Sequence, residues 1–382
     1  GLKGREFATG ERAAANLVFL LDVSGSMNAP QKLPLVKEAM RMLVGKLRAD
    51  DRVAIVTYAG ASGLALPSTA ADRRRTIYAA LDALQPNGAT NGAMGIELAY
   101  DIARANFVER GINRVILCTD GDFNVGTTNE GDLGRLITEK AKSGVFLTAL
   151  GFGMGNYQDA TLEQLADKGN GNYGYIDSAR EARRLLVEEV DGTLATIAKD
   201  VKIQVEFNPV QVAAYRLIGY ENRLLAKEDF NNDRKDGGEI GAGHTVTALY
   251  EIVPVGVASD LRGSGVDELR YAATTDRAFP AEVSHEMLTV KVRAKLPDGD
   301  VSRRWEFTLI DQGTAFAATT PDFKFASAVA AFGMLLRDSS FRGTATWARV
   351  VAWAEAGVGR DESGYRREFM ELVRQAEALM PR

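Results

Sequence analysis

Asp22-Val23-Ser24-Gly25-Ser26-Met27 places one carboxylate and two hydroxyls at alternate positions of a short segment. Gly25 between the serines lets the backbone curl, so the three side chains can share one turn. Oxygen donors of this kind suit a hard divalent cation better than a soft metal. Two further oxygen sources stand in comparable contexts. Thr90 lies in Gly88-Ala89-Thr90-Asn91, just ahead of an amphipathic stretch, and Asp120 lies in Thr119-Asp120-Gly121, just after an apolar one. If the segments that precede them are neighbouring strands, Asp22, Ser24, Ser26, Thr90 and Asp120 converge on one point.

The elements that would bring them together can be read from hydropathy. Leu17–Leu21 is a continuous apolar run, as expected for a strand buried on both faces. Strands are also expected over 52–58, 114–119, 145–150 and 173–176, with a short edge strand over 64–66 stopped by Pro67. Helical spacing recurs over 33–47, 72–84, 92–107, 132–142, 161–168 and 178–195. Strand and helix alternate, and most connections are too long for hairpins. The pattern predicts a doubly wound α/β fold with a mostly parallel, Rossmann-like sheet. Ligands of such sheets sit at the carboxyl ends of the strands, where the Asp22 turn and Asp120 fall.

The texture changes near residue 198. Strand-like runs follow over 201–207, 215–220, 245–253, 268–274, 287–296 and 302–309, separated by Asp/Gly/Pro turns, and predict a mostly antiparallel, sandwich-like β domain. Helical spacing returns over 322–337, 344–356 and 362–380. The expected organisation is a lead-in over 1–15 that pairs with the β region, an α/β domain over 16–197, a β domain over 198–320 and a helical segment over 321–382.

Composition narrows the chemistry. The 382 residues carry 51 acidic and 46 basic side chains, a formal net charge of −5, with two histidines and one cysteine. At about 100–200 residues per domain the length fits two or three domains. Cys118 cannot form an internal disulfide, and with His244 and His285 it is too little for a zinc cage. The small acidic balance argues against a nucleic-acid partner. No apolar run reaches the roughly 18 residues of a membrane span. No basic–apolar–small pattern opens the chain, so no signal peptide is expected within it.

With these motifs in place, residues 17–176 resemble a von Willebrand factor type A domain. Asp-x-Ser-x-Ser at 22–26, Thr90 in its Gly-Ala-Thr-Asn loop, and Asp120 in Leu-Cys-Thr-Asp-Gly match that family's metal ion-dependent adhesion site. The resemblance implies that Ser24, Ser26 and Thr90 contact Mg²⁺, or Mn²⁺ or Ca²⁺, with Asp22 and Asp120 contacting it directly or through water. It also implies that a partner's Asp or Glu carboxylate completes the coordination, and that Ser178–Ala195 is the helix whose position responds to ligand. Stretches at 208–223, 228–233 and 241–251 resemble the C-terminal region of bacterial von Willebrand factor A lipoproteins. That likeness implies a lipid-anchored envelope protein whose leader lies upstream of residue 1, with a cytoplasmic protein as the alternative.

The function expected is therefore metal-dependent protein binding without catalysis. A hydrolase built on Asp22 would want a base and a phosphate clamp; no Gly-x-x-x-x-Gly-Lys-Ser loop or Gly-x-Ser-x-Gly elbow is present. An accessory subunit of an ATPase or chelatase assembly is the other alternative. Asp229, Asn231 and Asp233 have the 1, 3, 5 spacing of a calcium loop, but Arg234 and Ile240 replace the Gly and Glu such a loop needs, so a solvated turn is favoured over a second cation. Arg73-Arg74-Arg75 is expected on a solvated helix face.

Overall fold

The computed structural model describes the chain except residues 9–10, 60–61, 89–91, 122–129, 154–158, 221–223, 234, 236, 258–284 and 381–382. The strand expected over 268–274 and the metal-site residue Thr90 lie outside the described residues.

The first half is built on a six-stranded sheet. Its strands are β2 (Ala15–Asp22), β3 (Arg52–Tyr58), β4 (Ser62–Ala70), β5 (Ile112–Thr119), β6 (Phe146–Phe152) and β7 (Tyr173–Ile176), in the order β4-β3-β2-β5-β6-β7. All pairs are parallel except β3–β4. Strand β2 is buried along its whole length, which is why it reads as an unbroken apolar run. Leu17, Phe19 and Leu21 face one core layer and Val18 and Leu20 the other, as strand alternation requires. The first layer is filled from α1 (Leu33–Lys46) and α2 (Arg74–Ala83), the second from α3 (Gly92–Ala105), α4 (Glu130–Ala141) and α5 (Asp159–Lys168). Helix α3 sits tightly on the sheet: a Cβ at Gly95 would lie 2.8 Å from Cβ of Tyr58.

Two local expectations fail. Strand β4 does not stop at Pro67 but runs through it to Ala70. The strand is an edge, and its ladder slips between the pairs Val53–Thr69 and Ile55–Leu66, so the missing N–H of Pro67 falls at an irregularity. The helix expected over 178–195 is broken into α6 (Ala179–Arg183), a π-helical turn over Arg184–Glu188 and α7 (Val190–Leu194). The last piece must approach strand β10 (Gly238–Gly241) closely. A Cβ at Gly241 would lie 1.9 Å from the Gly192 carbonyl oxygen, so backbone packs on backbone there.

The second half is antiparallel. Strands β8 (Thr196–Phe207), β10 (Gly238–Gly241), β13 (Leu288–Lys295) and β14 (Arg303–Leu309) form a sheet in the order β10-β8-β13-β14. Strand β9 (Val212–Ile218) pairs with β12 (Leu249–Pro254), and the lead-in strand β1 (Leu2–Lys3) pairs with β11 (Thr245–Val246). Helices α8 (Pro321–Leu336), α9 (Trp347–Ala356) and α10 (Tyr365–Leu379) pack around Ala328, Leu335, Val350, Ala354, Met370 and Val373. This helical cluster reaches back to the first half, where Arg180 pairs with Glu368 at 3.2 Å and the Tyr365 hydroxyl donates to Glu188 at 3.1 Å.

Candidate metal centre

Connections from β2 run towards β3 and those from β5 run towards β6, so the strand order reverses between β2 and β5. The crevice beyond their carboxyl ends is the topological switch point. Asp22 ends β2, and Asp120 follows the last residue of β5.

The Asp22 side chain is fully buried. Its Oδ1 accepts the Ser24 N–H at 2.8 Å, and its Oδ2 accepts the hydroxyls of Tyr58 and Thr119, each at 3.2 Å. The Gly121 N–H donates to Thr119 Oγ1 at 3.3 Å, which turns the Thr119 hydroxyl proton towards Asp22. All of these donors are neutral, and among the described residues no Lys or Arg pairs with Asp22. Burial, reinforced by the nearby charge of Asp120, raises the Asp22 carboxyl above its ordinary value against the pull of those hydrogen bonds. Burial likewise raises the Tyr58 phenol. It therefore stays protonated and able to donate.

Ser24 Oγ and Ser26 Oγ are 3.0 Å apart on the turn that opens at Asp22. Ser24 is buried and Ser26 exposed, so the crevice opens to solvent on the Ser26 side. The 3₁₀ turn Gly25–Asn28 is anchored from below by Met27, which is fully buried in the first core layer. The loop leading to Thr90 is tied to the same turn: the Gly25 N–H donates to the Gly88 carbonyl at 3.1 Å and the Asn87 N–H to the Val23 carbonyl at 2.7 Å. The structure thus brings Asp22, Ser24, Ser26 and Asp120 to one crevice and fixes the start of the Thr90 loop beside them.

The donor set fits a hard divalent cation. It offers two carboxylates and a pair of hydroxyls within hydrogen-bonding distance of one another, with no sulfur or imidazole. Among the described residues no three His, Cys, Asp or Glu side chains cluster as metal ligands.

Three residues that shape the site escaped the sequence reading. Tyr58 closes β3 just as Asp22 closes β2, and the two are register partners; only the pairing reveals this. Thr119 has the pattern of a strand residue, and its role as a donor to Asp22 depends on the pairing of β5 with β2. Lys32 is the third: its Nζ lies 2.7 Å from Asp120 Oδ2. A signal for it existed. Pro34 in the first turn of α1 puts Lys32 at the N-cap, a position that favours Ser, Thr, Asp or Asn and opposes a cation.

The other candidates take structural places. Asp233 accepts two hydrogen bonds from Arg293 at 3.0 Å and one from Ser302, and Asn231 Oδ1 accepts from Arg293 at 3.1 Å. The protein's own cation therefore occupies the calcium-like spacing. Cys118 is fully buried in the first core layer, and burial pushes its thiol well up. The Arg73–Arg75 run is exposed.

Comparison with known proteins agrees with this architecture. A family model described as von Willebrand factor type A domain matches residues 16–188, and one described as Uncharacterized protein YfbK, C-terminal, matches residues 192–379. The Escherichia coli K12 protein YfbK is 43% identical over 369 residues, covering 97% of this chain and 63% of YfbK. The Synechocystis protein sll0103 is 30% identical over 171 residues, covering 45% of this chain and 40% of that protein. The chain thus spans less than two thirds of either relative. Among solved structures, a von Willebrand factor type A protein from Catenulispora acidiphila aligns over 95% of this chain and 82% of its own, with a TM-score of 0.46 and 16% identity. The chain is a von Willebrand factor type A domain followed by a YfbK-type C-terminal domain.

Proposed function

We propose that this chain is a metal-dependent protein-binding module of the bacterial envelope, binding rather than catalytic. A divalent cation, Mg²⁺ or alternatively Mn²⁺ or Ca²⁺, is held by Ser24, Ser26 and Thr90, with Asp22 and Asp120 contacting it directly or through water. The observation that carries this reading is Asp22: a buried carboxylate served only by neutral donors, beside a second carboxylate. A buried charge in that situation is costly unless a cation compensates it. Few formal charges surround the ion, so it keeps Lewis acidity for an Asp or Glu carboxylate of a protein partner. The envelope assignment rests on the likeness of the C-terminal region to that of bacterial von Willebrand factor A lipoproteins. No helix of the described residues is long and apolar enough to cross a membrane; the lipid anchor is proposed on that same likeness.

The test is a pull-down from the native envelope with the wild-type chain and Asp22→Ala, each with and without EDTA. A partner retained only by the wild type and released by chelator is expected. Binding unchanged in excess EDTA would refute metal dependence. Cell fractionation of the native protein tests the compartment: recovery in the soluble cytoplasmic fraction would remove the envelope assignment.

A further inference from the structure

Lys32 is built into the metal centre. Its ammonium reaches Asp120 Oδ2 at 2.7 Å, and the Asp120 side chain is only 3% exposed. Its aliphatic stem crosses the carboxyl end of β6, where Gly153 leaves room for it: a Cβ at Gly153 would lie 2.9 Å from both Cγ and Cε of Lys32. Gly153 also holds φ = +94°, a conformation that disfavours other residues. The lysine thus starts at the N-cap of α1, where its charge opposes the helix dipole, and ends on one of the two carboxylates of the crevice. An unfavourable residue in a fitted groove calls for a reason beyond helix formation.

We infer that Lys32 is a resident cation that takes part of the charge of Asp120 away from a bound divalent ion. The inference rests on the metal-binding reading above and deepens it by naming the residue that sets the balance between holding the ion and holding the partner. Two carboxylates alone would cancel both charges of the ion and leave a partner carboxylate little to gain. With Lys32 paired to Asp120, the metal and its protein ligands keep net positive charge. The ion is bound less tightly for the same reason, because like charges a few ångströms apart repel. Lys32 weakens the grip on the metal and strengthens the metal's grip on an acidic partner.

The experiment compares wild type, Lys32→Met, Lys32→Arg and Asp22→Ala as the full chain. Calorimetric titration with Mg²⁺ alone gives the metal affinity. Acetate titration of the Mn²⁺-loaded proteins, followed by the loss of metal-bound water in proton relaxation, gives the affinity for a carboxylate. Methionine keeps the stem over Gly153 and removes the charge, so packing is preserved; thermal unfolding of the metal-free variants checks that. Lys32→Met should bind Mg²⁺ about tenfold more tightly or better, and acetate several-fold more weakly, while Lys32→Arg should match the wild type. The tightening should shrink in high salt. Equal or weaker Mg²⁺ binding by Lys32→Met, with the wild type binding normally, would overturn the role of Lys32 and leave the metal centre standing. A wild type that takes up no more Mg²⁺ than Asp22→Ala would overturn both.

Discussion

Two aspartates mark the two ends of the same parallel sheet, and they are treated differently. At the amino end, Asp51 is fully buried and accepts a two-pronged contact from Arg12, at 2.5 and 3.2 Å, and the N–H groups of Ala15 and Arg48 at 2.8 and 2.7 Å. Its charge is matched within the chain. At the carboxyl end, Asp22 is equally buried but, among the described residues, receives only neutral donors. One carboxylate is a finished structural joint. On the proposed reading, the other is left for a cation from outside. The difference separates a residue that holds the fold from one kept available for binding, although burial alone would rank them the same.

The contrast can be broken from either end. Replacing Arg12 by Met leaves Asp51 buried without its cation, and should cost about 3–5 kcal/mol in denaturant unfolding. Mg²⁺ affinity should be unchanged. A similar loss of stability in Asp22→Asn would abolish the distinction.

Asp22→Ala should lower Mg²⁺ affinity by about a hundredfold or more while near-ultraviolet and far-ultraviolet circular dichroism keep the wild-type form. Asp22→Asn is the more telling variant. It keeps the size and one accepting oxygen and removes the uncompensated charge, so the metal-free protein should gain about 1 kcal/mol as it loses its response to Mg²⁺. A thermal melt with and without the ion reads both effects at once.

pH sharpens the comparison further. The folded Asp22 carboxyl titrates above its unfolded value, chiefly because it is buried, so the metal-free fold holds that proton to higher pH than the unfolded chain does. Stability from this group is therefore present at low pH. It is lost as pH rises from about 3.9 through the raised folded value. Saturating Mg²⁺ should oppose that loss, and Asp22→Asn should remove it; melts across that range with and without the ion would show a difference confined to the wild type. The smallest effect is expected at the calcium-like spacing. Asp233→Asn should leave divalent-ion binding unchanged, because Arg293 already occupies that carboxylate.

Much of this is legible in the sequence alone. Leu17–Leu21 announces a buried central strand, and the alternation that follows announces crossover helices, so the sheet and the crevice at its carboxyl end follow from local pattern. Asp22, Ser24 and Ser26 were legible for the same reason: one short segment contains them. What was not legible depends on contacts distant in sequence. Tyr58 serves Asp22 because β3 lies beside β2 in that register. Pro67 reads as a stop and is instead accommodated by an edge strand with a slipped ladder. The apolar spacing over 178–195 is helical throughout, yet the chain breaks at the π turn before it passes the backbone of Gly241. Lys32 leaves only a faint mark in the sequence, a cation at an N-cap, and its groove and its partner Asp120 depend on contacts that the fold makes.

The lead-in has a mechanical consequence. Arg12 lies 3.6 Å from Asp191, and Arg114 at the start of β5 reaches the Thr196 hydroxyl at 2.9 Å, so the chain enters and leaves the A domain at the same end of the sheet. The crevice of Asp22 and Asp120 is at the other end. A tug on a partner held there, as proposed, would travel down β2, which is hydrogen-bonded to β3 on one side and β5 on the other. Both ladders then carry the load in shear, many bonds at once, and none is peeled open singly. Under the binding proposal, a chain gripped at the crevice and held through its connectors would be loaded along the strand direction.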